Sequence, residues 1–177
     1  MSAFMLSQCL IAIAIVFDIL SFQFKQKQKI VACLSVSGVL ITSHFALLEQ
    51  WTATALMLLA TIRYFVTIFS HSKRLMYIFL SLNTLVMMLT FSGMLSLLSF
   101  AGSSIQTMAA FCQSDQRLRQ LMLIGTSIWL INNMLVGSPA AVLMELLFIG
   151  SNLIAYHRYY GLIVKNKKRL SKVRDKT

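Results

Sequence analysis

A few charged side chains stand in the middle of long apolar stretches, and they are the residues of this chain best suited to chemistry. Arg63 interrupts the run "MLLATIRYFVTIF", and the carboxylates of Asp18 and Glu145 have similarly apolar neighbours. An ionisable side chain within a membrane span is costly unless it contacts a partner, water or a solute. Arg63 and a carboxylate could therefore form a buried ion pair or line a binding cavity, and the sequence leaves both interpretations open.

A second group of candidates combines amide, imidazole and indole side chains. Asn133 follows Trp129 by 4 residues, so both would lie on one face of a helix. An aromatic ring beside an amide could hold a small polar solute, and His44 is placed to contribute from another segment. The alternative is hydrogen bonding between helices combined with an aromatic belt at the membrane interface.

The composition indicates the environment in which these residues must work. Of the 177 residues, 58% are hydrophobic and only 12% are charged, and the chain has 1 proline. The mean hydropathy is +0.76. A water-exposed globular surface cannot be built from this balance, so the sequence predicts an integral membrane protein. The first apolar run has no charged stretch before it and no cleavage site after it, and we expect it to be retained.

The basic residues are placed as membrane topology requires. The net charge of +11 comes from short clusters between apolar runs and from the tail "KNKKRLSKVRDK". We therefore expect no nucleic acid partner, and we expect the tail to contact anionic lipid headgroups. The three cysteines, Cys9, Cys33 and Cys112, are widely spaced in the sequence. They predict neither a disulfide framework nor a metal site.

Motifs of soluble enzymes are missing from the sequence. It has no paired histidines at zinc-binding spacing, no glycine-rich phosphate loop and no Gly-x-Ser-x-Gly motif. The linkers are also too short to build a catalytic domain. The sequence therefore predicts a protein that is not an enzyme and that needs no metal or cofactor.

Seven apolar runs have the length of membrane-spanning helices. Backbone N–H and C=O groups in hydrocarbon must be paired within the protein, which favours helices of about 17 to 25 residues. The predicted helices are 4–22, 30–48, 52–69, 75–90, 94–111, 118–136 and 140–159.

Lysine and arginine alternate along the linkers between these helices. The first, third and fifth linkers and the tail are basic, whereas the second, fourth and sixth linkers contain no basic residue. Basic residues favour the cytoplasmic side of a membrane when loops are short. The alternation predicts an N-terminus outside and a cytoplasmic C-terminus.

The two ends of the chain have matching patterns. Basic and non-basic linkers recur at a displacement of about 89 residues, which places Arg63 opposite Asn152 and His44 opposite Asn133. The pattern predicts two parallel three-helix repeats, 1–73 and 92–162, joined by a linker helix at 74–91 and followed by a basic cytoplasmic tail at 163–177. The candidate solute-binding residues are Arg63, Asn152, Glu145, Asp18, Asn133, His44 and Trp129.

The three-one-three plan, with matched polar residues in the two halves, resembles the SWEET and PQ-loop superfamily of transporters. The segments "SFQFKQKQK", "LINNMLVG" and "NLIAYHRYY" are more closely similar to the YgjV family of bacterial inner membrane proteins. The Pro-Gln dipeptide of the superfamily is absent, and its nearest counterparts are Phe22-Gln23 and Cys112-Gln113. The hinge prolines of sugar-transporting members are absent too, because the only proline is Pro139 in a linker.

The resemblance implies a multi-pass protein of the bacterial inner membrane and a solute site between the two repeats. In sugar-transporting members, asparagines of the third and seventh helices lie beside the substrate. Asn152 fits this pattern, whereas Arg63 departs from it and points to an anionic ligand or to an internal ion pair. The expected function is a carrier of a small polar or anionic solute. The alternative is a ligand-sensing receptor or assembly factor whose buried charges are structural, and the chain would act alone or as a homo-oligomer.

Overall fold

The computed structural model describes residues 2–21 and 27–161. All regular structure in these ranges is helical, as the apolar runs predict. The helices are α1 (Ala3–Ser21), α2 (Lys27–Leu47), α3 (Trp51–Phe69), α4 (Lys73–Thr90), α5 (Met94–Ala110), α6 (Asp115–Val136) and α7 (Pro139–Tyr156), with a short π-helical turn at His157–Gly161. The described residues contain the seven α-helices that the sequence predicts, and the crossing of the membrane by all seven stays a prediction.

Local sequence signals account for several helix boundaries. Gly137 ends α6 with φ of 75°, a left-handed conformation that glycine adopts without steric cost. Pro139 is the first residue of α7, where its missing N–H removes no helical hydrogen bond. The predicted start of α6 at residue 118 was too late, because α6 already begins at Asp115. That first turn is polar, and hydropathy alone does not detect it.

The helices form a ring with one additional helix outside it. Around the ring, α1 packs on α2, α2 on α3, α3 on α5, α5 on α6, α6 on α7, and α7 on α1. The remaining helix, α4, packs on α3 and α5. The ring therefore closes through two seams, one between α3 and α5 and one between α7 and α1.

Hydrogen bonds between side chains fix the directions of the helices. Thr52 near the start of α3 contacts Ser96 near the start of α5, at an oxygen–oxygen distance of 2.8 Å. Further along the same pair, Arg63 donates to Thr107. The sequence separation is 44 residues in both contacts, so α3 and α5 run parallel. The first turns of α1 and α7 also meet, because Gln8 Nε2 donates to Ser138 Oγ over 3.1 Å.

The bundle has polar residues inside and apolar residues outside. Buried positions in the described ranges include many serine, threonine and asparagine residues, whereas large apolar side chains such as Met88, Leu89 and Ile154 are exposed. Such a surface is suited to lipid tails rather than to water. By length and composition alone, three of the described helices qualify as membrane spans: Ala3–Leu20, Trp51–Phe69 and Pro139–Tyr156.

The two ends of the bundle differ in chemistry. At one end, which we call the basic end, lie the start of α4, the start of α6 and the residues after α7. These segments carry Lys73, Arg74, Arg117, Arg119 and Arg158. The other end, which we call the hydroxyl end, contains Ser7, Thr52, Ser96 and Ser138, all buried. Residues 22–26 of the first basic linker and the tail predicted at 163–177 lie outside the described residues.

Glycines allow close helix crossings within the ring. A Cβ atom added at Gly38 on α2 would lie 2.2 Å from the hydroxyl oxygen of Thr61 on α3. Gly150 on α7 has no other heavy atom within 4 Å of the corresponding point. The packing therefore requires glycine at position 38 and does not require it at position 150.

We predict that Gly38→Ala lowers the free energy of unfolding by about 1–3 kcal/mol, because the added methyl group must separate α2 from α3. Gly150→Ala is the matched control, and it should be neutral or stabilising, since alanine is the better helix former by about 1 kcal/mol. Unfolding of the purified protein in detergent, followed by circular dichroism, measures both. Equal effects of the two variants would contradict the close crossing.

Candidate functional site

A cavity of about 230 Å³ lies at the centre of the ring. Its walls come from all six ring helices, and α4 does not contribute. Asp18 on α1, Glu145 on α7 and Gln106 on α5 provide polar groups, while Phe45 on α2 and Trp129 on α6 provide aromatic surface. A concave, mostly apolar space with a few convergent polar groups is the usual form of a small-molecule site.

The two carboxylates of this central cavity are largely buried. Asp18 and Glu145 are each 6% exposed, and the two are close enough for the charge of Asp18 to act on Glu145. Asn133 Nδ2 on α6 lies 3.4 Å from Glu145 Oε1 and donates to it, whereas Asp18 lies beside Ser37 on α2. Each carboxylate thus has a polar neighbour on an adjacent helix.

A second cavity of about 560 Å³ lies between the central cavity and the basic end. Both cavities are lined by Tyr64, Gln106 and Phe148, which therefore form the wall between them. The second cavity, which we call the vestibule, extends past Asn152 to Arg119 near the start of α6. The central space is thus separated from the vestibule by three side chains.

Towards the hydroxyl end, a hydrogen-bond network joins α1, α2 and α7. His44 Nδ1 lies 3.0 Å from the backbone oxygen of Ser7 and donates to it, while His44 Nε2 lies 3.4 Å from Ser138 Oγ. Because a carbonyl oxygen can only accept, this contact places the imidazole proton on Nδ1. The backbone N–H of Ala140 donates to Gln8 Oε1 over 3.1 Å. This network closes the seam between α1 and α7.

The rest of the hydroxyl end is also closed by contacts between the two halves of the ring. The Thr52 hydroxyl donates to the backbone oxygen of Thr90 over 2.7 Å and contacts Ser96 across the seam between α3 and α5. Between α2 and α6, the rings of Phe45 and Trp129 lie 5.4 Å apart. Both seams, and the space between α2 and α6, are therefore closed by side-chain contacts at this end.

Arg63 occupies a position apart from both cavities. Its side chain is 1% exposed, and its Nη1 donates to the Thr107 hydroxyl on α5. The carbon at the centre of its guanidinium group lies 5.5 Å from the centroid of the Tyr64 ring. Arg63 Nε and Nη2 have no hydrogen-bond partner among the described residues. The structure thus gives Arg63 a hydroxyl and an aromatic ring as partners, rather than a carboxylate.

Thr107 uses its full hydrogen-bonding capacity at this point. It accepts from Arg63 and from Asn83 Nδ2 on α4, the latter over 3.2 Å, and it donates to the backbone oxygen of Ser103 over 2.8 Å. A hydroxyl group offers one donor and two acceptor positions. A single oxygen therefore ties α3, α4 and α5 together.

The structure brings together only part of the predicted site. Asp18, Glu145 and Trp129 line the central cavity. Asn133 donates a hydrogen bond to Glu145, which is one of these lining residues. His44 belongs to the network at the hydroxyl end. Asn152 lines the vestibule and donates to the backbone oxygen of Arg119 over 3.0 Å.

Other residues of the cavity walls were not among the predicted site residues. They are Ser37, Phe45, Tyr64, Gln106 and Phe148. The amide of Gln106 stands out in an apolar helix and could have indicated a cavity position, although it was equally consistent with a packing role. Aromatic residues such as Phe148 give no such signal, because most phenylalanines in this chain could face lipid.

The helical bundle with its apolar exterior and polar interior defines a multi-pass membrane protein. Comparison with known proteins identifies its kind. The Imp-YgjV family of bacterial inner membrane proteins matches residues 5–162, and the chain belongs to this family. The inner membrane protein YgjV of Escherichia coli (strain K12) is 31% identical over 161 residues, which cover 89% of this chain and 88% of that protein. No solved structure matches the chain. The protein is thus located in the bacterial inner membrane.

We predict that Thr107→Val lowers the free energy of unfolding by about 1–3 kcal/mol, because Arg63 and Asn83 both lose their hydroxyl acceptor. Thr84→Val on α4 removes a hydroxyl that bonds only within its own helix and should cost less. Thr107→Ser keeps the hydroxyl group and should retain most of the stability. Thermal unfolding in detergent ranks the three variants, and a Thr107→Val protein as stable as Thr84→Val would contradict the structural role of this contact.

Proposed function

We propose that this protein is an inner membrane carrier for a small polar solute, which binds in the central cavity. The observation that carries this proposal is the placement of that cavity: both halves of the ring line it, packed contacts cover it at the hydroxyl end, and only three side chains separate it from the vestibule. A carrier requires a site that is reached from one side of the membrane at a time.

The proposed orientation places the basic end in the cytoplasm. In the described ranges, the arginines and lysines other than Arg63 whose side chains are described lie at this end, including Lys73, Arg117 and Arg158. Short linkers that carry basic residues favour the cytoplasmic side. The N-terminus would then lie outside, the C-terminus inside, and all seven helices would cross the membrane. The arrangement described above would be open towards the cytoplasm.

The proposed architecture is two parallel repeats, with α1 to α3 in the first, α5 to α7 in the second and α4 as the linker helix. The ring supports this proposal, because a shift of about 89 residues along the sequence maps the helices of one seam onto the helices of the other. The same shift makes Asp18 and Thr107 equivalent positions of the two repeats. Arg63 at one seam therefore contacts the counterpart of Asp18, while Asn152, the counterpart of Arg63, donates to the backbone oxygen of Arg119 within the second repeat.

The proposed mechanism is a rocking of the two repeats around the central cavity. Opening the hydroxyl end would separate Gln8 from Ser138, Phe45 from Trp129 and Thr52 from Ser96. These are neutral hydrogen bonds and a ring contact, each worth about 1 kcal/mol net. Their sum is within the range that binding of a solute can supply. Arg63 and Thr107 lie deeper along α3 and α5 and could act as the pivot of this motion.

The contacts of Arg63 favour a structural role for that residue. The alternative function also gives the buried charges a structural role, but such a role is equally compatible with a carrier. A receptor or an assembly factor could use the same bundle without moving a solute. We assign the protein no catalytic reaction. Transport is therefore the property that separates the two functions.

The orientation gives a topological prediction. In a variant without Cys9, Cys33 and Cys112, Ser92→Cys at the hydroxyl end should react with a membrane-impermeant maleimide added to intact spheroplasts. His71→Cys at the basic end should react only after permeabilisation. Labelling followed by gel shift measures both, and the reverse pattern would contradict the proposed orientation.

The carrier gives a prediction for transport. Purified protein in vesicles should take up or exchange at least one solute from a panel of small sugars, amino acids, amines and organic acids. Ser37→Phe should abolish this uptake, because the ring would fill the central cavity, which holds about eight water molecules at 30 Å³ each. Ser127→Phe is the matched control, since Ser127 is exposed on the outside of α6. Failure of every solute with folded native protein would favour the receptor or assembly factor.

A further inference from the structure

We propose that Glu145 is a proton-binding site and that, in the carrier, a proton crosses the membrane together with an uncharged polar solute. The role of the proton as co-substrate rests on the proposed function, whereas proton binding is a property of the purified protein alone. The basis is the contact of an enclosed carboxyl group with an amide that can serve it in both protonation states.

Glu145 lies in surroundings that do little to compensate a negative charge. Its side chain is 6% exposed, and it lines the central cavity together with the apolar Met144 and Phe148. Among the described residues, Glu145 forms no ion pair, and its hydrogen-bond partner is the amide of Asn133 at 3.4 Å. A carboxyl group enclosed in this way is charged only at a cost in free energy, and binding a proton removes that cost.

Asn133 is suited to both states of Glu145. Its Nδ2 donates to Glu145 Oε1, as a carboxylate requires, because a carboxylate can only accept. Its Oδ1 is buried and has no hydrogen-bond partner in the part of the chain that the structure describes. A protonated carboxyl group donates through its O–H. A turn of the amide by about 180° would offer Oδ1 to that O–H, and the unpartnered oxygen would gain a hydrogen bond.

The other titratable groups of the cavity walls do not take the place of the proton. They are Asp18 on α1 and Tyr64 on α3, while α6 contributes the neutral Asn133. A charged Asp18 would increase the cost of a charge on Glu145. An Asp18 balanced by a partner of its own would leave that cost unchanged. The remaining titratable side chains of the ring interior and the vestibule lie away from the central cavity: His44, Arg63 and Arg119.

Water gives the proton a route to Glu145. The cavity of about 230 Å³ could hold about eight water molecules at 30 Å³ each. Two of the three side chains that separate it from the vestibule, Tyr64 and Gln106, carry groups that can hydrogen-bond to water. In the arrangement described above, we therefore expect the proton to exchange with the vestibule.

Filling the cavity links the solute to the proton. An uncharged solute displaces water that would otherwise solvate a charged Glu145, so an occupied cavity favours the protonated form. By reciprocity, protonation of Glu145 favours binding of the solute by the same factor. Solute and proton would therefore bind together and be released together. A cationic solute would favour the charged carboxylate and would give the opposite dependence on pH.

The small number of acidic residues makes the proton observable. The chain has 5 aspartate and glutamate residues. Infrared difference spectra of the purified protein, taken between mildly acidic and mildly alkaline pH, should show the C=O stretch of a protonated carboxyl group. Exposed carboxyl groups are ionised throughout this range. The band should be lost in Glu145→Gln and should persist at a changed frequency in Glu145→Asp. Glu49→Gln changes an exposed acid in the linker before α3 and should leave the band unchanged.

Variants of the neighbouring amides test the contact. Asn133→Leu should shift the frequency of the C=O band, because the protonated carboxyl group loses its partner. Asn132→Leu is the matched control, since Asn132 Oδ1 accepts from Ser99 on α5 over 3.3 Å, and it should leave the frequency unchanged. Absence of the band, a band that survives Glu145→Gln, or a band lost only in Asp18→Asn would overturn the proton site.

Vesicles test the co-substrate role. A gradient of about one pH unit, acidic outside, should drive up to about tenfold accumulation of an uncharged member of the uptake panel, with ribose and serine as the first probes. Valinomycin and potassium hold the membrane potential at zero. Glu145→Gln should lose this accumulation and retain exchange of the same solute between the two sides, because the amide resembles the protonated carboxyl group. Retained exchange also shows that the variant is folded.

The outcomes separate this inference from the proposed function. Uptake that is independent of the pH gradient, or accumulation that persists in Glu145→Gln, would overturn the co-substrate role and leave the carrier intact. A Glu145-dependent infrared band without uptake of any solute would keep the proton site and overturn the carrier.

Discussion

Hydrocarbon offers no hydrogen-bond partner, and this constraint governs the whole molecule. Backbone groups are paired within seven helices, and polar side chains are turned towards the inside of the bundle. Thr107 is an example, because its single hydroxyl group makes hydrogen bonds with Arg63, Asn83 and the backbone oxygen of Ser103. The same constraint thus explains the fold.

The two ends of the bundle use different chemistry for different tasks. Neutral hydroxyl and amide groups hold the halves together at one end, with contacts such as Gln8–Ser138 that can be broken and remade at small cost. Basic residues dominate the other end, where they suit contact with anionic lipid headgroups. Charge inside the bundle is confined to a few positions. Among these, Arg63 serves packing, whereas Asp18 and Glu145 face the cavity.

Hydropathy and charge predicted the number of helices and most of their ends, because both properties follow from burial in a membrane. Asp18, Glu145 and Trp129 were candidates from the sequence, since polar or amphipathic residues at apolar positions need a reason, and they line the central cavity. Their contact with a solute stays a prediction. The role of Arg63 was not predictable, because it depends on the rotation of α3 about its axis. That rotation is set by contacts such as Gly38 with Thr61. Tyr64 and Phe148 were not predicted as cavity residues for the same reason, because the sequence does not show whether an aromatic side chain faces lipid or the cavity.

Tyr64, Gln106 and Phe148 separate the central cavity from the vestibule, whereas contacts that join neighbouring helices, such as Gln8–Ser138 and Thr52–Ser96, close it at the opposite end. Side chains of this kind change rotamer far faster than packed helices move, since such collective motions take microseconds to milliseconds. A molecule in the cavity would accordingly exchange with the vestibule many times for each helix rearrangement. In the proposed transport cycle, the slow step would lie at the hydroxyl end, and occupancy of the cavity would follow the solute concentration on the vestibule side.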